Sequence, residues 1–214
     1  MTHMIPRRAF LVTTAGAAVA TALPALAQPS DLDRQLTAFL DAEYEKEVQM
    51  DPEELTSQGR KEHYDRLTDR SEAHADKVLA WRTDSVARMK ARFDPAKLGE
   101  DARTSYDMWV LALEQAQLRR QWRRHRYVFA RGSAHTGLPN FLINFHRVDT
   151  VADAEAYVAR IGKIDQALDH MLVRAKAAAA QGIRMPRFDY AQGHKDLARV
   201  TTGAPFSEGP DSPM

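Results

Sequence analysis

The sequence predicts an all-α protein, a multi-helix array, on three observations. Apolar residues recur every three to four positions through most of the chain. Capping residues and Gly or Pro breaks separate these periodic segments. No segment alternates polar and apolar residues over the length of a strand. With 44% hydrophobic and 28% charged residues, the composition is that of a globular protein.

The first half of the chain predicts four helices with clear ends. Ser30 is placed to cap the first, with Asp33 in the reciprocal position of a capping box, and Asp51-Pro52 ends it. A short helix closed by Gly59 should follow. The short helix is predicted over Glu53 to Gln58. The next helix should start at Asp69 or Ser71 and end at Asp94-Pro95. The longest helix is predicted from Glu100 to Arg131, because this segment contains neither Gly nor Pro.

The second half predicts a loop, two further helices and a tail. A Gly-rich connection covers 132–140, and Pro139 is placed to open a short apolar helix from Asn140 to His146. Thr150 and Asp153 form another capping box. The helix that they start should bend at Gly162, end at Gly182 and bury a stripe of Ala154, Val158, Ile161, Leu168, Leu172 and Ala175.

The N-terminal segment follows the order of an export signal. Arg7 and Arg8 form its charged region, and an apolar stretch follows that is too short to remain as a membrane span. Ala25 and Ala27 supply the cleavage site, so the mature chain is predicted to start at Gln28. The arginine pair before an aromatic and an aliphatic residue resembles the twin-arginine motif. We favour that route, and its export machinery as a partner, over a general secretory leader; the predicted location is periplasmic or secreted.

Three segments result from these patterns. A twin-arginine-type signal peptide covers 1–27, and a helical domain covers 28–188. Residues 189–214 are rich in Gly and Pro and are predicted to form an irregular tail that leads into a missing C-terminal part.

Composition excludes several classes of function. The absence of cysteine rules out a disulfide framework, a thiolate metal site, a cysteine nucleophile and a lipid-modified N-terminal cysteine. Lys+Arg and Asp+Glu number 30 and 29, or 28 and 29 once the two arginines of the leader are removed. A chain so close to neutral has no overall field to draw it onto nucleic acid or an anionic membrane.

No motif for metal or nucleophilic catalysis is present in the sequence. There is no His-Glu-x-x-His pair, no phosphate-binding Gly-rich loop and no serine nucleophile elbow. The mature chain has histidines that never pair at a spacing of three or four, so we expect no metal site in this chain and mostly structural roles for them. They are His63, His74, His125, His135, His146, His170 and His194.

Arginines crowd the segment 119–126, around Trp122. Such a cluster can grip phosphates or nucleic-acid bases. Alternatively, it is the solvated end of a long helix, with salt bridges to the acidic helices and favourable interaction with the helix dipole. We favour the second interpretation and predict no nucleic-acid partner.

The Gly-rich segment from Gly132 to Leu142 carries the candidate cleft-lining residues. His135 and Asn140 lie within it and His146 follows it. A polar loop that leads into a helix start can line a cleft that attracts anionic groups. A plain helix-to-helix connection is the alternative.

Several blocks of the chain resemble one bacterial family. They are Asp51-Pro52 to Gly59-Arg60, Asp69-Arg70-Ser71, the Gly132 to Leu142 segment with His146-Arg147-Val148, Ala154 to Arg160, Gly182-Ile183-Arg184-Met185-Pro186, and Thr202-Gly203-Ala204-Pro205-Phe206. In this order and spacing they are similar to the N-terminal part of the family called domain of unknown function 885, DUF885.

The resemblance implies a large helical, zincin-like fold in a protein that is often exported. Family members look like metallopeptidases because a His-Glu-x-x-His-type helix, extended by Pro-Gly-His, lies in the C-terminal half. Zinc and a peptide substrate are therefore implied for the full-length protein. This chain corresponds only to the N-terminal portion and stops before the metal helix, so no catalytic residue and no metal ligand carries over to it.

Two functions from different classes follow. The first is the N-terminal helical portion of an exported, DUF885-like, zinc-dependent peptidase or hydrolase, inactive by itself. The alternative is a non-catalytic helical binding module of the cell envelope. A His-Glu-x-x-His codon run downstream in the same DNA would separate them.

Overall fold

A computed structural model describes residues 29–130, 134–200 and 202–212, apart from the side chains of 134–136 and 200. These residues confirm the all-α prediction: they form helices and no strand. The helices are α1 Asp31–Gln49, α2 Pro52–Ser57, α3 Glu72–Arg92, α4 Glu100–Gln121, α5 Ala134–Phe145, α6 Val151–Ile161, α7 Ile164–Ala180 and α8 Arg187–Val200. Short 3-10 turns follow α3 and α4, at Pro95–Lys97 and Arg123–His125. None of the described helices is both long and apolar enough to cross a membrane.

Both predicted capping boxes are present. At the start of α1, the Ser30 hydroxyl accepts the Asp33 N–H at 3.1 Å, and the Asp33 carboxylate accepts the Ser30 N–H at 2.8 Å. Thr150 and Asp153 make the same reciprocal pair at the start of α6. Gly59 closes the turn after α2 with a φ of 79°, in the left-handed region that favours glycine. Local sequence chemistry therefore sets these helix ends.

The main core lies where α1, α3 and α4 meet. Leu36 of α1, Met89 of α3 and Tyr106 of α4 are buried there, together with Phe93 at the end of α3. The predicted seam of α3 through Val86 and Met89 is confirmed. Ser85 is also buried, and its hydroxyl accepts the indole N–H of Trp109 at 3.1 Å.

Helix α4 is shorter than the sequence predicted. It ends at Gln121, not at Arg131, although no Gly or Pro breaks the segment. After Trp122 the chain makes a 3-10 turn, and Arg123 and Arg124 of that turn reach acidic side chains of α3. Tertiary ion pairs therefore accompany the end of the helix where no local stop signal exists.

The predicted loop over 132–140 is wrong from Ala134 onward. That segment is the first half of α5, and Pro139 lies inside the helix instead of at its start. Proline removes one backbone donor from a helix interior. Leu138, Phe141 and Leu142 are buried, at 0%, 9% and 1% exposed. Burial of these apolar side chains offsets the lost hydrogen bond.

The helix predicted after Thr150 is two helices, because the chain breaks at Gly162 and Lys163. Its predicted stripe is partly wrong, since Val158 is 66% exposed and Leu172 is 41% exposed. The buried positions of this segment are instead Asp153, Arg160, Ala167, Met171 and Ala178. The buried face is therefore rotated, and it includes two charged side chains.

The tail predicted to be irregular from residue 189 is also partly helical. Helix α8 runs over Arg187–Val200 and contains Gly193. A glycine inside a helix weakens the sequence signal, but here an added Cβ would meet the Phe129 carbonyl oxygen at 3.3 Å. Close packing against Phe129 therefore favours a residue without a side chain. Beyond the helix, residues 202–212 form turns.

Candidate functional site

An arginine-lined cleft of about 400 Å³ lies beside α3, α4 and α7. Most of its lining side chains are charged or polar. Its lining includes three acidic residues and seven arginines. The arginines are Arg70, Arg82, Arg119, Arg120, Arg123, Arg126 and Arg174.

Several arginines of the 119–126 cluster pair with acids of α3. Arg120 and Arg123 both contact the Asp76 carboxylate, with N–O distances of 2.8 and 2.9 Å. Arg124 donates to Glu72 at 2.9 Å. Salt bridges from this cluster are therefore present as predicted, and they are made to Glu72 and Asp76 near the start of α3. Arg119 and Arg126 are exposed and have no ion pair within the described part of the chain.

An apolar pocket, also of about 400 Å³, lies beside the cleft. It is bounded by α7, α8 and the segment after the 3-10 turn. Ala175, Met185, Tyr190 and Leu197 contribute to its largely apolar lining. Arg126 borders both this pocket and the arginine-lined cleft, so the two cavities adjoin.

A buried polar network stands apart from both cavities. Arg160 of α6 is 0% exposed, and its guanidinium donates to the Arg66 carbonyl at 2.8 Å and to the Thr56 hydroxyl at 2.7 Å. A third donor reaches the Nδ1 atom of His146 at 2.9 Å. The guanidinium carbon also lies 4.9 Å from the ring centre of Tyr64. Arg160 thereby ties α2, the loop after α2 and the end of α5 to α6.

The network fixes the tautomer of His146. Arginine can only donate, so Nδ1 must accept, and Nε2 carries the proton that it donates to the Asp153 carbonyl at 2.9 Å. The ring also stacks on Tyr64 with centroids 4.0 Å apart. Burial lowers the pKa of His146 below its usual value, and the positive charge of Arg160 lowers it further. His146 is thus a neutral structural histidine.

Of the three candidate cleft residues, only Asn140 and His146 have described side chains, and these two lie in different surroundings. The backbone of His135 lies in α5, but its side chain is outside the described ones. Asn140 is exposed, and its carbonyl accepts a hydrogen bond from Asn144 at 2.8 Å. His146 is only 6% exposed and lies in the buried network. Neither Asn140 nor His146 lines either cavity.

The described residues do not fit the zinc ion implied by the family resemblance. No group of three His, Asp or Glu side chains within the described ranges could hold a metal ion. A hydrolytic zinc site needs about three protein ligands and an open position.

Comparison with known proteins gives one match, to a family. Residues 52–213 match the model of a family described as bacterial protein of unknown function, DUF885. The chain belongs to this family. No curated protein and no solved structure matches it. The match covers the pocket, the buried network and all of the cleft lining except Asp51, but not α1.

Sequence patterns had missed two arginines of this DUF885 protein. Arg160 lies seven positions after Asp153, and both are buried on one face of α6. Arg174 lies three positions after Met171 and four before Ala178, both buried on α7. A charged residue in the register of a buried face was the available signal. The apolar stripe predicted from the sequence lies on a different face of these helices, so the two arginines were not recognised as buried.

Proposed function

We propose that this chain is the helical N-terminal portion of an exported, zinc-dependent, peptidase-like hydrolase of the DUF885 family. In the intact enzyme the array forms one wall of the substrate channel. The metal ligands and the general base come from residues other than those described. By itself the chain binds but does not hydrolyse.

One observation carries this proposal: an apolar pocket adjoins an arginine-lined cleft at Arg126. A peptide substrate combines apolar side chains with carboxylates, and these two cavities match that combination. Ligand sites of this kind are concave, mainly apolar and fitted with a few charged groups that orient the ligand. The membership in the DUF885 family and the helical fold support the same assignment.

The test is a substitution that reduces the volume of the apolar pocket and leaves the metal ligands unchanged. Ala175 is half-buried in the pocket lining, whereas Val173, two positions away, is 65% exposed. In a family protein that carries both this array and a His-Glu-x-x-His helix, Ala175→Leu should raise KM for apolar peptides on the order of tenfold. We expect kcat to change little, because the chemistry lies elsewhere.

The control for this test is Val173→Leu, which adds bulk outside the pocket. It should leave both kinetic constants unchanged. Thermal melts of the two variants show whether either loses the fold. An unchanged KM in folded Ala175→Leu would reject the pocket as part of the substrate channel.

Export is a separate part of the proposal. Residues 1–27 lie outside the described ones, and the first described helix starts at Asp31, three residues after Gln28, with Ser30 as its cap. Cleavage before Gln28 would therefore leave α1 intact. Replacing Arg7 and Arg8 together by lysine should trap the precursor in the cytoplasm if the twin-arginine route is used. Unimpeded export of that variant would identify a general secretory leader instead.

A further inference from the structure

Arg174 of α7 occupies an unusual place in the arginine-lined cleft. It lies in the register of the buried residues Met171 and Ala178 and is itself half-buried. Among the described residues, it has no hydrogen bond and no ion pair. A partly desolvated guanidinium normally has partners, because burying an unpaired charge is costly.

The other buried or half-buried arginines of the described chain all have partners. Arg160 is held by carbonyl, hydroxyl and imidazole acceptors, and the rest pair with carboxylates. Those are Arg60 with Glu45, Arg70 with Glu53, Arg82 with Glu47, Arg123 with Asp76 and Arg124 with Glu72. Arg174 is the exception in this part of the structure.

The three acidic residues of the lining are already engaged. Glu72 contacts Arg123 and Arg124, and Asp76 contacts Arg120 and Arg123. Asp51 caps α2 and accepts the Thr68 hydroxyl. None of these three carboxylates therefore neutralises Arg174 directly.

The charges around Arg174 favour an incoming anion. Burial lowers the pKa of Arg174. The nearby guanidinium of Arg126 lowers this pKa further, because the two positive charges lie close together in the cleft. The negative charge of Glu72 acts in the opposite direction and raises the pKa of Arg174. Arginine stays protonated under ordinary conditions. The cleft therefore keeps a positive charge that an anionic ligand would neutralise.

We propose that this cleft is an oxyanion-binding site centred on Arg174, with Arg126 at the rim as a second donor. The ligand class is a carboxylate or a phosphate, because the planar guanidinium fork matches both groups through paired N–H donors. The volume of about 400 Å³ admits a small organic anion. The site stands whether or not the chain takes part in peptide hydrolysis.

The experiment is a calorimetric titration of the full chain with inorganic phosphate and, separately, with N-acetyl-phenylalanine. At least one of these should bind, and Arg174→Gln should weaken that binding by about tenfold or more. The matched control is Arg147→Gln, because Arg147 is 78% exposed at its side chain and lies outside the cleft. It should bind like the unchanged protein.

An uncharged ligand and a conservative variant serve as additional controls. The uncharged amide of N-acetyl-phenylalanine should not bind, which separates anion recognition from burial of the ring in the apolar pocket. Arg174→Lys keeps the charge but loses the fork; it should bind with intermediate affinity, and it replaces Arg174→Gln if that variant does not fold. Preference for phosphate or for carboxylate identifies the source of the ligand. Failure of both anions to bind, or equal binding in a folded Arg174 variant, would overturn the site.

Discussion

Arg160 is the residue on which the second half of the molecule depends most. It is fully buried, and its donors end on backbone carbonyls, a hydroxyl and an imidazole instead of a carboxylate. Its guanidinium also lies over the rings of Tyr64 and Phe141, at 4.9 and 5.1 Å. Such a group stabilises the native state only while every acceptor around it stays in place.

Arg160→Met should therefore be strongly destabilising. Methionine fills part of the space but leaves the Arg66 carbonyl, the Thr56 hydroxyl and His146 Nδ1 without their donor. We expect a loss of about 3–5 kcal/mol in the free energy of unfolding, measured by urea denaturation. Arg147→Met, on the exposed surface, should change it by less than about 0.5 kcal/mol. Equal effects of the two substitutions would show that the network contributes nothing specific.

His146 should make the stability sensitive to pH. Its pKa is lowered in the folded protein, while the unfolded chain titrates near the ordinary value of about 6.5. The unfolded state therefore binds more protons between these two values. The contribution to stability is complete above about pH 6.5 and falls as the pH drops towards the folded pKa.

The measurement is the free energy of unfolding against pH for the unchanged chain and for His146→Gln, which cannot titrate. The slope near pH 6 should be smaller in the variant, by at most about 1.4 kcal/mol per pH unit. The other histidines are present in both proteins, so their contributions cancel in the difference between the two curves. Those with described side chains are His63, His74, His125, His170 and His194. Parallel curves would contradict the assigned neutral state of His146.

At the scale of helices, local chemistry predicted the starts better than the ends. Both capping boxes and the Gly59 turn follow from a few neighbouring residues, so the sequence was sufficient for them. Pro139 inside α5 and the end of α4 at Gln121 depend on partners far along the chain. The Gly-rich segment before Pro139 therefore resembled a loop, although from Ala134 onward it belongs to α5.

Asp33 links two helix starts and gives a prediction at this scale. Its carboxylate caps α1 and also accepts the Gly99 N–H, just before α4, at 2.9 Å. Asp33→Ala should cost about 2 kcal/mol of stability in urea unfolding, because two backbone donors lose their acceptor. Asp31→Ala in the same turn, where the carboxylate is exposed and only pairs with Arg34, should cost less than about 1 kcal/mol.

Low pH should remove the stability that the Asp33 carboxylate contributes. The Gly99 hydrogen bond and the bonds to Ser30 lower the pKa of Asp33. Its stabilising effect is present above the unfolded pKa and is lost as the pH falls through the folded value. The difference between the unchanged chain and Asp33→Ala should therefore shrink below about pH 4. A constant difference down to pH 2 would mean that the carboxylate charge is irrelevant.

For the whole molecule, the fold class was predictable and the candidate site was not. Helical periodicity is a property of the sequence, and the described residues form an all-α array as predicted. The arginine-lined cleft joins side chains more than a hundred positions apart, from Asp51 to Arg174. Only the partial pairing of the 119–126 arginines with acidic residues could be predicted, because charge pairing does not require knowledge of the tertiary contacts.

The central claim is that this array supplies substrate binding and that the zinc ligands lie elsewhere. Zinc binding and peptide hydrolysis by the chain alone test it most directly, measured beside a family protein extended through a His-Glu-x-x-His helix. The chain alone should bind zinc no more tightly than scattered surface histidines do and should hydrolyse no peptide, while the extended protein should do both. One tightly bound zinc per chain, together with peptidase activity of the 214-residue chain, would contradict the account.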